Sequence, residues 1–141
     1  MTVGTGLAMI VRGMSATLGG TLLAALVVVA ATVADPEMSR SPGFLRASGV
    51  AAVLLYGMLG FAGTRFGGRP LRDLDAPSEA APLIACFGPL LVGLPIQVGV
   101  AASGQPLVSA LSACSVLAGT ALGAWRIRRQ AGTGARRVRD A

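Results

Sequence analysis

The feature that most constrains this chain is a run of 46 consecutive residues, 80–125, without a charged side chain. As one α-helix the run would be about 69 Å long, more than twice the roughly 30 Å hydrocarbon core of a bilayer. It must therefore fold back on itself. Turn-forming residues cluster near its midpoint at Ser103-Gly104-Gln105-Pro106, which predicts a turn between two spans at about 81–102 and 107–125.

Two further uncharged runs precede this one. Residues 13–34 would form a helix of about 33 Å that ends at Asp35-Pro36-Glu37, where two charges flank a helix breaker. Residues 47–64 would reach about 27 Å, which is sufficient because Arg46 and Arg65 can extend to the headgroups. With 53% hydrophobic and 13% charged residues, the chain is predicted to be an all-α integral membrane four-transmembrane-helix bundle over residues 1–126.

The first run has a second interpretation as a secretory signal. Arg12 provides a basic flank, and Thr32-Val33-Ala34 is a tolerable small-residue cleavage site. The apolar run is longer than the roughly 7–15 residues of a signal core, so we expect it to be retained as a span.

The arginines predict the orientation. Arg40 and Arg46 fall on one side of the predicted spans, and the other ten of the 12 basic residues fall on the opposite side. The positive-inside rule then places both termini in the cytoplasm, with Phe66 and Trp125 in an interfacial aromatic belt. Because every basic residue is Arg and Ala and Gly are abundant, we expect a bacterial plasma (inner) membrane.

The end of the chain, 127–141, is predicted to be a flexible Arg-rich cytoplasmic tail, with Gly132 and Gly134 favouring flexibility. Its expected partners are anionic lipid headgroups. Nucleic acid is not expected, because the tail has no aromatic residue on which a base could stack.

The missing residue types exclude most site chemistry. The chain has no His and no Lys, and Cys86 and Cys114 are too few for a thiolate metal cage. All six acidic residues fall outside the predicted spans, whereas proton-coupled exporters usually carry a carboxylate inside the membrane. The sequence therefore predicts no catalytic, cofactor-binding or metal-binding residue.

The loop 67–79 contains three carboxylates, Asp73, Asp75 and Glu79. They could meet a divalent cation, or the mixed charges could dock a soluble partner. Pro70 and Pro77 prevent one continuous helix from presenting them together, so a solvated linker is the favoured interpretation.

Small residues at four-residue spacing predict close helix packing. Ser115, Gly119 and Gly123 form the candidate helix-packing interface, which could be internal or between subunits. Similar stripes occur at Gly49, Val53 and Gly57 in the second span, and at Ala16, Gly20 and Ala24 in the first.

The third span contains two interior prolines, Pro89 and Pro95, each of which removes a backbone hydrogen bond and favours a kink. Ala85, Pro89, Gly93 and Gln97 are spaced to share one face. Pro89, Gly93, Pro95 and Gln97 are therefore the candidate pore or hinge residues, with an ordinary bent helix as the alternative.

These features favour a small multi-pass protein that is a non-catalytic subunit, or an assembly or accessory partner, of a larger bacterial membrane complex. The alternative is a self-oligomerising channel, holin or passive small-solute transporter with the Pro-kinked third span lining its pore. Partners would be the lipid bilayer and either another membrane protein or further copies of the chain.

Overall fold

A computed structural model describes residues 2–69 and 80–139, with side chains described as far as Gln130. Within these residues the chain is all-helical, and four of its helices are long and apolar enough to span a membrane. The elements are α1 (Val3–Ala34), α2 (Pro36–Arg40), α3 (Pro42–Gly67), α4 (Ala81–Ala102) and α5 (Pro106–Arg139). The predicted four-helix architecture is confirmed at this level.

The hairpin inside the uncharged run forms where the sequence predicts it. Helix α4 ends at Ala102 and α5 begins at Pro106, with Gly104 at a φ of 90° in the connection. Only glycine adopts that left-handed conformation without steric cost. Ser103 and Gly104 donate backbone hydrogen bonds of 3.1 Å to the carbonyls of Gly99 and Ala101, which terminates α4.

Three helices extend beyond the predicted spans. Helix α1 begins ten residues earlier and includes Arg12, while α3 contains both Arg46 and Arg65. A charge marks the edge of the hydrocarbon region, but the backbone can stay helical beyond it because arginine is a good helix former. Helix α5 likewise continues past Trp125 to Arg139. The flexibility expected for the tail at 127–141 stays a prediction.

The loop after α1 contains a short helix that the sequence analysis missed. Asp35 Oδ1 accepts a 2.8 Å hydrogen bond from the Met38 amide and caps α2. Ser41 Oγ accepts a 3.2 Å hydrogen bond from the Phe44 amide and caps α3 in the same way. Each cap is followed by proline at the first helical position, where its missing N–H costs nothing.

Helix α3 lies at the centre of the packing and contacts α1, α4 and α5, while α4 also packs on α1 and on α5. The interior is built from small side chains, and the buried hydrophobic residues are Met9, Ala81, Ala85 and Val116. Large apolar side chains point outward along every long helix. This distribution is expected where lipid solvates the exterior and close backbone approach provides the attraction between helices.

Candidate functional site

The predicted packing stripe of α5 lies against α3 of the same chain. Gly119 packs directly on the backbone carbonyl of Gly57. A Cβ atom placed on Gly57 would lie 2.5 Å from Ser115 Oγ, and one on Gly123 would lie 2.8 Å from Thr64 Cβ. The face formed by Ser115, Gly119 and Gly123 is thus an intramolecular contact in this structure.

A second close contact joins α1, α3 and α4. A Cβ on Gly63 would lie 2.8 Å from Pro89 Cγ, and one on Gly13 would lie 3.0 Å from Pro89 Cδ. On α4, a Cβ on Gly88 would lie 2.5 Å from the Ile10 carbonyl oxygen. We call this contact the three-helix junction.

Sequence reasoning missed most of the three-helix junction. The buried residues of α1 are Gly6, Met9, Gly13 and Thr17, and none of them belongs to the predicted stripe of Ala16, Gly20 and Ala24. Gly20 does contact a neighbour, the Leu59 side chain of α3. The spacing of three and four residues from Gly6 to Thr17 is the signal that could have identified this face.

The candidate pore or hinge residues separate into two groups. Pro89, Gly93 and Gln97 are buried with Ala85 on the inner face of α4, whereas Pro95 is exposed on another face. A Cβ on Gly93 would lie 3.1 Å from Val116 Cγ1, so α5 fills the space opposite this glycine. The inner face of α4 is therefore packed against neighbouring helices.

Gln97 is the buried polar residue with the most unsatisfied groups. It is 3% exposed, and its side-chain Oε1 and Nε2 have no hydrogen-bond partner. Its backbone carbonyl accepts a 2.6 Å hydrogen bond from Ser109 Oγ of α5. The hydroxyl of Tyr56 on α3 lies near this amide but makes no hydrogen bond to it.

Ser112 is a second buried residue with an unsatisfied polar atom, at a similar depth. It lies one helical turn beyond Ser109 on α5, is 1% exposed, and its Oγ has no hydrogen-bond partner. Gln97 is five residues from the end of α4 and Ser112 is six residues from the start of α5. Both therefore lie in the half of the bundle near the α4–α5 turn.

The other buried hydroxyl groups bond to helix backbone. Thr17 Oγ1 donates to the Gly13 carbonyl at 2.9 Å, and Thr64 Oγ1 donates to the Gly60 carbonyl at 2.8 Å. Cys86 Sγ is 3.3 Å from the Pro82 carbonyl oxygen, and both cysteines are free thiols. Such bonds satisfy polar groups in lipid but do not prepare a nucleophile.

Among the described residues no group of three His, Cys, Asp or Glu side chains could hold a metal ion. The loop carboxylates Asp73, Asp75 and Glu79, which the sequence analysis considered for a cation, lie outside the described residues. Their possible role therefore stays a prediction.

Arginines stack on aromatic rings at the end of the bundle opposite the α4–α5 turn. The guanidinium carbon of Arg129 is 4.1 Å from the centroid of the Trp125 ring, and that of Arg69 is 4.9 Å from the Phe66 centroid. The sequence predicts Trp125 and Phe66 at the cytoplasmic membrane interface. In the structure an arginine stacks on each of these rings. The exposed residues Trp125, Arg126, Arg129 and Gln130 line a shallow groove that is open to the surroundings.

The last ten residues of α1 are largely exposed. The buried residues of α1 all lie in its first half, and from Ala25 to Ala34 no residue is buried. Leu26, Val29 and Val33 are 67%, 59% and 76% exposed. We call Ala25–Ala34 the free segment of α1.

No protein-family model, curated protein or solved structure matches this chain.

Proposed function

We propose that the protein is a non-catalytic helical subunit, or assembly partner, of a larger complex in a bacterial plasma membrane. The observation that carries the proposal is the free segment of α1, which is about 15 Å long as a helix and has no residue buried against the described part of the chain. The two other supports are the chemistry of the spans and the interior packing.

The free segment has the side chains that a helix–helix contact in lipid needs. Val27, Val28, Val29 and Val33 are β-branched, so they occupy few rotamers and lose little side-chain entropy when a neighbouring helix packs on them. They also form a surface without polar groups. A partner would therefore be held by dispersion contacts, the main attraction left in a solvent as apolar as leucine.

The chemistry of the described spans supports a structural role. Their buried polar residues are threonines, serines and one glutamine, and the hydroxyls of Thr17, Thr64 and Ser109 bond to backbone carbonyls. General acid–base catalysis needs a titratable group near its working pH, and proton coupling needs a carboxylate in the membrane. The buried threonines, serines and glutamine of the described spans therefore suit a role in helix packing.

Photo-crosslinking in the native membrane tests the proposal. A photoreactive amino acid at Leu26, Val29 or Val33 samples one face of the free segment. We expect all three positions to give adducts with the same second membrane protein. The matched controls are Leu54 and Leu117, which are 63% and 48% exposed on other helices. Adducts with lipid alone from the free segment, or equal adducts from the controls, would contradict the proposal.

The second candidate is a self-oligomerising channel, holin or passive transporter, and the unsatisfied Gln97 amide and Ser112 hydroxyl favour it. A polar passage would satisfy both groups with water. A pore lined by the inner face of α4, however, would require Gly93 to separate from Val116 of α5.

Flux from sealed proteoliposomes separates the two candidates. A subunit leaves the liposomes sealed to ions and small solutes, with or without Gln97→Leu and Gly93→Leu. Flux through the wild-type protein that either substitution alters would instead establish the channel.

A further inference from the structure

We propose that the buried carboxamide of Gln97 and the buried hydroxyl of Ser112 bind a small uncharged solute that both donates and accepts hydrogen bonds, namely a primary carboxamide. The two residues lie on α4 and α5, and we call them the polar pair. The inference does not depend on the proposed subunit role, because a solute can bind between these helices with or without a partner protein.

The packing of α4 on α5 places the polar pair at one level. Ser109 Oγ of α5 donates to the Gln97 carbonyl of α4. Further along, Val116 of α5 packs opposite Gly93 of α4. Ser112 lies between Ser109 and Val116 on the same buried face. Because helix side chains tilt toward the helix N-terminus, the Gln97 amide extends toward the level of Gly93, and so toward that of Ser112.

Both members of the polar pair are available to a ligand. Gln97 is 3% and Ser112 is 1% exposed, and Gln97 Oε1, Gln97 Nε2 and Ser112 Oγ have no hydrogen-bond partner, not even each other. A hydroxyl in a helix can bond to the backbone carbonyl one turn earlier, as those of Thr17 and Thr64 do, whereas that of Ser112 does not. Unbonded polar groups in an apolar interior cost stability, and a ligand that bonds to them recovers that cost.

The charge around the polar pair excludes an ion as the ligand. Helix α4 contains no charged residue, α5 contains none before Arg126, and α3 contains none over the range 47–64. The carboxylates of the segment 70–79 precede the start of α4, and Gln97 lies 16 residues, or about 24 Å, beyond that start. An ion at the polar pair would lose its hydration without gaining a counter-charge, so the solute is uncharged.

The donors and acceptors of the polar pair determine the class of solute. The Gln97 amide offers one acceptor oxygen and two N–H donors, and the Ser112 hydroxyl can donate or accept. A primary carboxamide matches this set. It pairs with the Gln97 amide through two parallel N–H···O bonds, and its second N–H is left to donate to Ser112 Oγ.

The solute reaches the polar pair from the α4–α5 turn. Ser112 is six residues beyond Pro106, which is about 9 Å along the helix axis. On the other side of the pair, Val116 fills the space opposite Gly93. The polar pair is therefore a binding site that opens when the two helices separate near the turn, and not a passage across the membrane.

The side-chain amide of Gln97 provides a direct measurement of binding. The full chain is labelled with ¹⁵N-glutamine, reconstituted in lipid nanodiscs and titrated with acetamide. We expect the Gln97 amide resonances to shift and saturate. Gln105 and Gln130 are exposed, so their resonances report non-specific effects in the same molecule and should not saturate. Acetone has nearly the same shape as acetamide but no N–H donor, and it should bind at least about tenfold more weakly.

Ser112→Ala tests the second member of the polar pair. It should weaken acetamide binding about tenfold, the value of one buried hydrogen bond. The variant should fold normally, because the hydroxyl makes no hydrogen bond in the ligand-free protein. The matched control is Ser115→Ala, the same change about one turn further along α5, which should leave the affinity unchanged.

Four results would overturn the proposal. The first is a Gln97 response to acetamide that does not saturate and follows that of Gln105. The second is equal affinity for acetamide and acetone. The third is an equal loss of affinity in Ser112→Ala and Ser115→Ala. The fourth is strong magnetisation transfer from water to the Gln97 amide in the ligand-free protein, which would identify a resident water molecule as the occupant.

Discussion

Gly119 of α5 packs directly against the backbone carbonyl of Gly57 of α3. The two helices approach this closely because neither residue has a side chain at the contact. Thr64 and Ser115 extend the contact on either side, and Gly60 lies within it, since a Cβ there would be 2.7 Å from the Val116 carbonyl oxygen. This backbone contact joins α3 in the first half of the chain to α5 in the second half.

Gly119→Leu is expected to separate α3 from α5 and lower the free energy of unfolding by about 1–3 kcal/mol, the usual cost of overpacking. The measurement is unfolding in mixed micelles with increasing dodecyl sulfate, followed by far-UV circular dichroism. Gly99→Leu is the control, because a Cβ on Gly99 has nothing within 4 Å. An equal loss of stability in both variants would show that the contact is unimportant.

A disulfide between Gly49→Cys and Val108→Cys should form within one chain. A Cβ on Gly49 would lie 3.5 Å from Val108 Cγ2, which suggests that the two new side chains can reach each other. With Cys86 and Cys114 replaced by serine, oxidation should give a product of monomer mass. After cleavage at a protease site inserted in the segment 70–79, the two halves should remain joined until a reductant is added. A covalent dimer as the main product would assign this contact to an interface between subunits.

Ser109→Ala should lower stability, whereas Ser112→Ala should not. Ser109 Oγ donates to the Gln97 carbonyl, so its removal should cost about 0.6 kcal/mol, the average for interhelical hydrogen bonds in a membrane. Ser112 Oγ has no hydrogen-bond partner, so its removal should leave stability unchanged or increase it. The same micelle titration measures both variants. A larger loss from Ser112→Ala would show that a ligand or water satisfies this hydroxyl in the membrane.

The arginine distribution predicts that both termini are cytoplasmic. Green fluorescent protein fused after Ala141 should be fluorescent, and alkaline phosphatase at the same position should be inactive. Fusions after Ser39, in α2, should behave in the opposite way. An active phosphatase at the C-terminus would invert the topology and place the arginine-lined groove on the outer surface.

Four spans, the end of α1 at Ala34 and the turn at 103–105 could be predicted from the sequence. The reason is that the bilayer core tolerates neither an unpaired backbone group nor an unpaired charge, so an uncharged run must form helices of limited length. The start of α1, both ends of α3 and the end of α5 could not be predicted, because these helices extend beyond the uncharged runs. Outside the hydrocarbon core, the rule that excludes charge no longer applies.

The candidate site was also predictable only in part. The spacing of Ser115, Gly119 and Gly123 indicated a packing face, and the common face of Pro89, Gly93 and Gln97 was evident from their four-residue spacing. Neither pattern identified the neighbouring helix. In a chain with 20 glycines, many faces have small residues at suitable spacing.

The sequence by itself determined which segments can cross a membrane and which end of the bundle carries most of the arginines. Only the tertiary structure shows that Gly119 meets Gly57, that Gly88 rather than Gly93 contacts α1, and that no residue of the free segment of α1 is buried among the described residues. Each spanning helix needs an uncharged, hydrophobic run of sufficient length, and this requirement applies to each helix separately. It is therefore visible in the sequence. Close packing depends on the complementary shapes of two helices, so it is settled only when both are in place.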